Sequence, residues 1–145
     1  MINPQNSKKM TKISKNYKPT KKEKFMNAKM KEYFRQKLNN WKNELLVGSS
    51  ETISNLQNQH NTPQSDLTDR ATEEIERSFE LRTRDRERKL INKIDAALRR
   101  IEEGTYGYCE ETGEQISLKR LEARPVATLS IEAQEMHERA EKRLN

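Results

Sequence analysis

Apolar residues recur in the first half of the chain at helical spacing, Met30, Phe34, Leu38, Trp41 and Leu45 following one another at steps of four, four, three and four. Such steps keep one stripe on one face of an α-helix. They predict a helix from about Phe25 to Leu56. Gly48, Ser49 and Ser50 interrupt the stripe and Ile53 and Leu56 resume it. The helix is therefore weakened there, by about 1 kcal/mol for the glycine, and not broken. "NQHNTPQSDLTD", residues 58 to 69, reads as a turn, since Pro63 cannot continue a helix and Asn, Gln and Ser favour local backbone bonds. A second helix starts near Asp66 to Asp69 and runs to Glu103, with Ile75, Phe79, Ile91, Ile94, Leu98 and Ile101 as its apolar positions. Gly104 is placed to cap its end.

Two helices this long joined by a short turn are expected to fold back as an antiparallel coiled-coil hairpin, because neither stripe has another partner. The rival arrangement is a coiled-coil dimerisation arm, but a heptad dimer has no need of the break at Pro63. With the turn centred near residue 63, partners should sum to about 126, placing Phe34 opposite Ile91, Val47 opposite Phe79 and Ile53 near Ile75. "RTRDRER", residues 82 to 88, makes the middle of the seam polar. Arms of roughly thirty residues at ~1.5 Å each give a projecting rod on the order of 45 Å long.

Residues 104 to 129 are expected to form a small globule around Tyr106, Tyr108, Ile116, Leu118, Leu121 and Leu129. A short helix follows with Ser130 as N-cap and Glu132 in its first turn. Its face of Ala133, Met136, Ala140 and Leu144 is available for packing. The globule has the layout of a four-ligand zinc knuckle, two Cys-x2-Cys pairs 15 to 20 residues apart. Here those positions read Cys109, Thr112, Ser130 and Ala133, with two, seventeen and two residues between them. One thiol and an alanine cannot build a tetrahedral site, so no structural zinc is expected. Burial of the Tyr, Ile and Leu set, hydroxyl hydrogen bonds from Thr112 and Ser130 and docking on the hairpin base would have to replace it. Cys109 is then a small buried hydrophobe, and His137 a solvated surface residue.

Charge divides unevenly. Residues 1–24 hold eight lysines and one glutamate, a net of +7, which leaves −1 for the rest of a 145-residue chain whose total is +6. Residues 1–24 are therefore expected to be a disordered basic tail, serving as a solubilising leader or a phosphate-binding arm. The near-neutral remainder argues against a DNA-binding domain. A lone cysteine excludes an internal disulfide framework, and no apolar run approaches the ~20 residues that span a bilayer. A cytoplasmic protein without a membrane partner is expected.

The stretch "DLTDRATEEIERSFELRTRDRERKLINKIDAALRRIEEGTYGYCEETGEQISLKRLEARP" closely resembles the DksA branch of the DksA/TraR family, in its zinc-independent, cysteine-poor type. The Asp-x-x-Asp-Arg-Ala turn, "ELRTRDRERKLI", "GYCE" and "RLEARP" occur in one order, and the likeness covers about residues 30 to 140. It implies a mainly α fold: a hairpin over 25–103 with its tip at about 58–69, carried on a zinc-finger-like module without metal at 104–145 that ends in a helix. It also implies a bacterial transcription regulator, monomeric and without enzymatic activity, that binds RNA polymerase and not a specific DNA sequence. The hairpin would enter the polymerase secondary channel, destabilise open promoter complexes and act with ppGpp in the stringent response. Carried over residue by residue, the tip is Asp66, Asp69 and Ala71, and the polymerase and ppGpp interface is Arg86, Leu90, Lys93 and Arg124. Gln134 stands where zinc-bearing members place a lysine, which removes one positive charge. A transcript-cleavage factor with a similar hairpin and a non-catalytic coiled-coil scaffold are the alternatives.

Overall fold

The computed structural model describes residues 11–60 and 67–144. Among them are four helices, α1 (Ala28–His60), α2 (Leu67–Glu103), α3 (Leu118–Ala123) and α4 (Ile131–Leu144). The described residues form no strand, only an isolated antiparallel bridge between Tyr108 and Gln115. The mainly α architecture is the expected one. Pro63 and Asp66 lie outside the described residues.

The helix ends have local causes. α1 begins at Ala28 and not at Phe25 because Met26 has φ 52, a left-handed conformation that a helix cannot include. The Asn27 side chain caps it, its Oδ1 accepting the Met30 N–H at 2.9 Å. α2 closes as expected at Gly104, whose φ of 83 lets the chain turn left-handed. Thr105 N–H then reaches the Arg100 carbonyl at 2.9 Å and Gly104 N–H the Ile101 carbonyl at 3.4 Å, the paired bonds of a Schellman end.

The chain divides into two compact units, Met1–Leu38 with Ala97–Asn145, and Asn39–Ala96. The division differs from the expected boundary at residue 104. Met30, Phe34 and Leu38 of α1 and Ala97 and Ile101 of α2 are buried, so both helices lend a segment to the globular core. Six of the seven largest fully buried side chains lie in this first unit: Met30, Phe34, Leu38, Tyr106, Ile116 and Leu121. At about 1.5–3 kcal/mol for each apolar side chain buried, most of the hydrophobic stabilisation sits here.

Tyr106 ties the unit together. Its ring packs on Phe34 with centroids 5.5 Å apart, and its hydroxyl donates to the Pro125 carbonyl at 2.7 Å. Burial, the largest influence, pushes its phenol well above the ordinary value. Lys37 Nζ meets Glu122 twice, at the carboxylate (2.6 Å) and the backbone carbonyl (2.9 Å), and joins α1 to α3. Burial pushes the Glu122 carboxyl up, but hydrogen bonds from Lys37 and Tyr33 outweigh it and leave the group below its usual value.

Residues 11–24 are not the featureless tail that their composition suggests. Tyr17 packs edge-on against Tyr33 with centroids 6.0 Å apart, and its hydroxyl donates to Glu23 at 2.9 Å. Phe25 makes a similar edge contact with Tyr108 at 5.4 Å, and Met26 is buried. The physical reason is the spacing of a few apolar side chains: Tyr17, Phe25 and Met26 suffice to seat a segment whose lysines all stay in water. Residues 11–27 form a strap on the globule.

In the second unit the two helices run antiparallel, as expected, but in a different register. Lys42 Nζ bonds Asp95 Oδ1 at 2.7 Å and Ser49 Oγ bonds Glu87 Oε2 at 3.3 Å, pairs whose numbers sum to 137 and 136. The partner of an α1 residue thus lies about ten positions further along α2 than a symmetric turn would place it. Phe34 is buried against Tyr106 within the first unit, while Val47, Phe79 and Ile75 are 60%, 65% and 69% exposed and do not form the expected seam. Ile53's side chain lies outside the described residues. Apolar burial concentrates in the first unit; in the second, Ile94 is fully buried whereas Trp41, Leu45, Leu90 and Ile91 are only partly so. The Lys42–Asp95 pair, partly exposed, adds about 0.2–1 kcal/mol.

α4 also departs from its expected face. Ser130 caps it as anticipated, accepting the Ala133 N–H at 3.2 Å. Ala133 is buried, but Met136 and Leu144 are exposed, as is Ala140, so only the first turn packs.

The strap makes its closest approach at Gly107, where φ is 90 and a Cβ would stand 3.1 Å from Met26 Cε and Phe25 Cζ. Gly113 has a similar φ of 72 with open space around it. Gly107→Ala should therefore cost about 1–3 kcal/mol of folding stability and exceed the cost of Gly113→Ala, which carries backbone strain alone. Thermal and urea unfolding of the two variants measures the difference; equal losses would mean that the strap contact contributes nothing.

Candidate functional site

Three groups of residues carry the functional expectations. The first is the acidic start of α2. Asp69 lies in its first helical turn and is exposed, as is Ala71. A carboxylate there is favoured by the helix dipole at about 0.3–1 kcal/mol, so position and charge reinforce each other. Asp66 is outside the described residues.

The second group is a charged face of the same helix. Arg86, Leu90 and Lys93 stand at steps of four and three and share one face; the Arg86 and Lys93 side chains are exposed and Leu90 is partly buried. They belong to Asn39–Ala96, whereas Arg124 belongs to the other unit. Arg124 terminates α3, its N–H bonding the Arg120 carbonyl at 2.7 Å, and its side chain is exposed. Gln134 donates to Glu138 at 3.3 Å along α4, so its amide is engaged locally.

The third group is the knuckle, and its motifs acquire physical meaning. In "YGYC", Tyr106 is the buried anchor, Gly107 the close approach, Tyr108 the bridge to Gln115, and Cys109 the centre of a tight turn. Cys109 N–H bonds the Glu114 carbonyl at 2.7 Å and its carbonyl accepts from Gly113 N–H at 2.9 Å. Glu110 N–H crosses to the Thr128 carbonyl at 2.9 Å and joins the turn to the segment before α4. In "RLEARP", Arg120 Nε holds the Leu129 carbonyl at 2.9 Å, Leu121 is buried, Glu122 takes Lys37, and Pro125 offers its carbonyl to Tyr106. Four positions of the motif thus have separate structural tasks.

Cys109 is buried as expected, but it is more than a small hydrophobe. Burial pushes its thiol up; the Thr112 hydroxyl and the backbone N–H groups of Ser130, Thr112 and Glu111 outweigh it and bring the group down from 9.0 to about 6. The turn thus aims donors at sulfur from both halves of the knuckle. His137 on α4 is exposed, as expected of a surface residue, and pairs with Glu111. The pairing closes the outer side of the same turn.

These residues do not fit a zinc ion. Thr112 Oγ1 accepts the Glu114 N–H at 3.3 Å, Ser130 Oγ is used to cap α4, and Ala133 has no donor atom. Among the described residues no three His, Cys, Asp or Glu side chains converge as metal ligands. No described helix is long and apolar enough to cross a membrane.

The strap and Gly107 escaped the sequence reading. The available signal was Tyr17, Phe25 and Met26 within or beside a lysine-rich run, which charge had masked.

A hairpin with an exposed acidic helix start, attached to a two-part knuckle, defines a recognisable class. Residues 30–101 match the model of the DnaK suppressor protein DksA N-terminal domain, and residues 104–139 match the prokaryotic dksA/traR C4-type zinc finger. The chain belongs to the DksA/TraR family. It is 61% identical over 126 residues to the RNA polymerase-binding transcription factor DksA of Caulobacter vibrioides, covering 87% of this chain and 88% of that protein. With the protein of the same name from Escherichia coli strain K12 the identity is 43% over 123 residues, covering 84% and 80%. The structure of transcription factor DksA2 from Pseudomonas aeruginosa superposes with a TM-score of 0.76 at 40% identity, over 81% of this chain and 90% of that one.

The donor set around Cys109 has a spectroscopic consequence. Thiolate absorbance near 240 nm should titrate with a midpoint at about 6, vanish in Cys109→Ser, and move upward in Thr112→Val. A midpoint at the ordinary thiol value would show that the hydrogen bonds do not favour the anion.

Proposed function

We propose that the chain is a cytoplasmic transcription regulator that binds RNA polymerase and performs no chemistry of its own. The observation that carries this reading is the succession of both family regions, residues 30–101 and 104–139, along one chain. Support also comes from the relatives named RNA polymerase-binding transcription factors at 43–61% identity.

The finer mechanism follows from charge and position. The hairpin enters the secondary channel with Asp66, Asp69 and Ala71 foremost, and destabilises open promoter complexes. Carboxylates at a helix start are held by the N-terminal dipole, so they reach the partner already oriented, and a field rich in cations near a polymerase centre favours them. Ala71 permits close approach. Arg86 and Lys93 supply positive charge along the side of α2, with Leu90 between them. Lys93 in one unit and Arg124 in the other each offer a cation to ppGpp in the complex with polymerase, Arg124 through a planar fork suited to phosphate oxygens. Gln134 offers no charge at its position, so the response to ppGpp is weaker than in a relative with lysine there. The regulator acts as a monomer.

Transcription in vitro from a ribosomal-RNA promoter tests this mechanism, with and without ppGpp. Asp69→Asn should retain polymerase binding and lose at least tenfold in inhibitory potency. RNA in backtracked complexes should stay uncleaved by the wild-type chain. Equal inhibition by wild type and variant would remove Asp69 from the mechanism, and rapid cleavage would replace the regulator with a cleavage factor.

The module works without structural zinc. Metal analysis of the purified chain should find well below one zinc per molecule, and a chelator should leave its melting temperature unchanged. One tightly bound zinc per chain would refute the metal-free reading.

A further inference from the structure

The charge of the strap is not used by the mechanism above. Lys12, Lys15, Lys18, Lys21, Lys22 and Lys24 are all exposed. The strap's one carboxylate, Glu23, is occupied by the Tyr17 hydroxyl at 2.9 Å and the Thr20 N–H at 3.2 Å. Lys18 lies within the electrostatic reach of Glu122, and Lys21 lines an open cleft of about 590 Å³ together with Glu114 and Glu132. Lys12, Lys15, Lys22 and Lys24 form no ion pair among the described residues. Four cations therefore stand in water on a segment that is itself anchored to the globule by Tyr17, Phe25 and Met26.

We propose that the strap is a sequence-independent nucleic-acid-binding surface that takes the phosphodiester backbone, with Lys12, Lys15, Lys22 and Lys24 as its contacts. Lysine ammonium groups are point charges without the planar fork that reads a base edge, so they suit backbone phosphates and not sequence. Anchoring matters because lysines held on a folded surface lose less freedom on binding than lysines on a free tail. The aromatic side chains decide against a membrane surface. Tyr17 and Phe25 face Tyr33 and Tyr108, and the strap contains no helix of its own, which leaves no apolar face for burial among lipid headgroups. The binding is intrinsic to the chain and independent of polymerase, so it can stand or fall apart from the regulatory reading.

The test is fluorescence anisotropy of the full chain with 40-nucleotide random-sequence DNA, duplex and single-stranded, between 50 and 200 mM salt and without polymerase. Four phosphate contacts predict a log–log slope of about −3.6 for duplex and about −2.8 for the single strand, so duplex affinity should fall about a hundredfold over that range. Lys12, Lys15, Lys22 and Lys24 replaced together by Gln should weaken binding at 50 mM salt at least tenfold and flatten the slope, while the same four changed to Arg should retain it. Circular dichroism and melting of both variants confirm an intact fold. Equal binding by the Gln variant and wild type, no binding at 50 mM salt, or tighter binding to vesicles containing anionic phospholipid than to either DNA would overturn the proposal.

Discussion

Burial of Tyr106 is the contact on which the globular unit depends. A phenol taken out of water needs a partner for its hydroxyl, and the Pro125 carbonyl supplies it at 2.7 Å while Phe34 covers the ring. That single side chain therefore fixes three distant segments: an early turn of α1, the exit from α2 and the loop after α3. Leu121 and Ile116 then fill the remaining space, and Lys37 with Glu122 closes the edge. Packing and directed hydrogen bonds hold the turns of the module.

Long helical periodicity was legible in the residues, and so was the end of α2 at Gly104, because both follow from local rules. The family motifs marked out the knuckle and the candidate face of α2 from sequence alone. What escaped depended on tertiary competition. The register of the two long helices could not be found from the turn, since it shows only in pairs far apart in sequence, Lys42 with Asp95 and Ser49 with Glu87. Met136 and Leu144 repeat at helical spacing yet remain in water, because spacing states which residues share a face and not whether anything covers it. The strap was hidden for the opposite reason: a high density of lysine masked three apolar side chains, and average composition outweighed them.

The functional residues divide along the same line. Asp69 and Ala71 sit where motif and helix start both place them, and Arg86, Leu90 and Lys93 share a face by arithmetic alone. Arg124 reaches its exposed position through the α3 end, which only the fold could supply. Cys109 looked inert by elimination of ligands; the donors aimed at it come from backbone geometry at Glu111, Thr112 and Ser130 and are invisible in residue types. The family's zinc finger is described by four cysteines; this chain has one, with backbone amides of Glu111, Thr112 and Ser130 favouring its thiolate.

That nest of amides bears on how the family can change. The N–H groups converging on one sulfur are the costly part of a knuckle to evolve, since they require the backbone of two separated turns to agree. In this chain the other three corners carry a hydroxyl, a helix-capping serine and a methyl group. Conversion between a metal-dependent and a metal-free lineage then needs few coordinated steps: side chains at 112, 130 and 133 change while the peptide scaffold stands still.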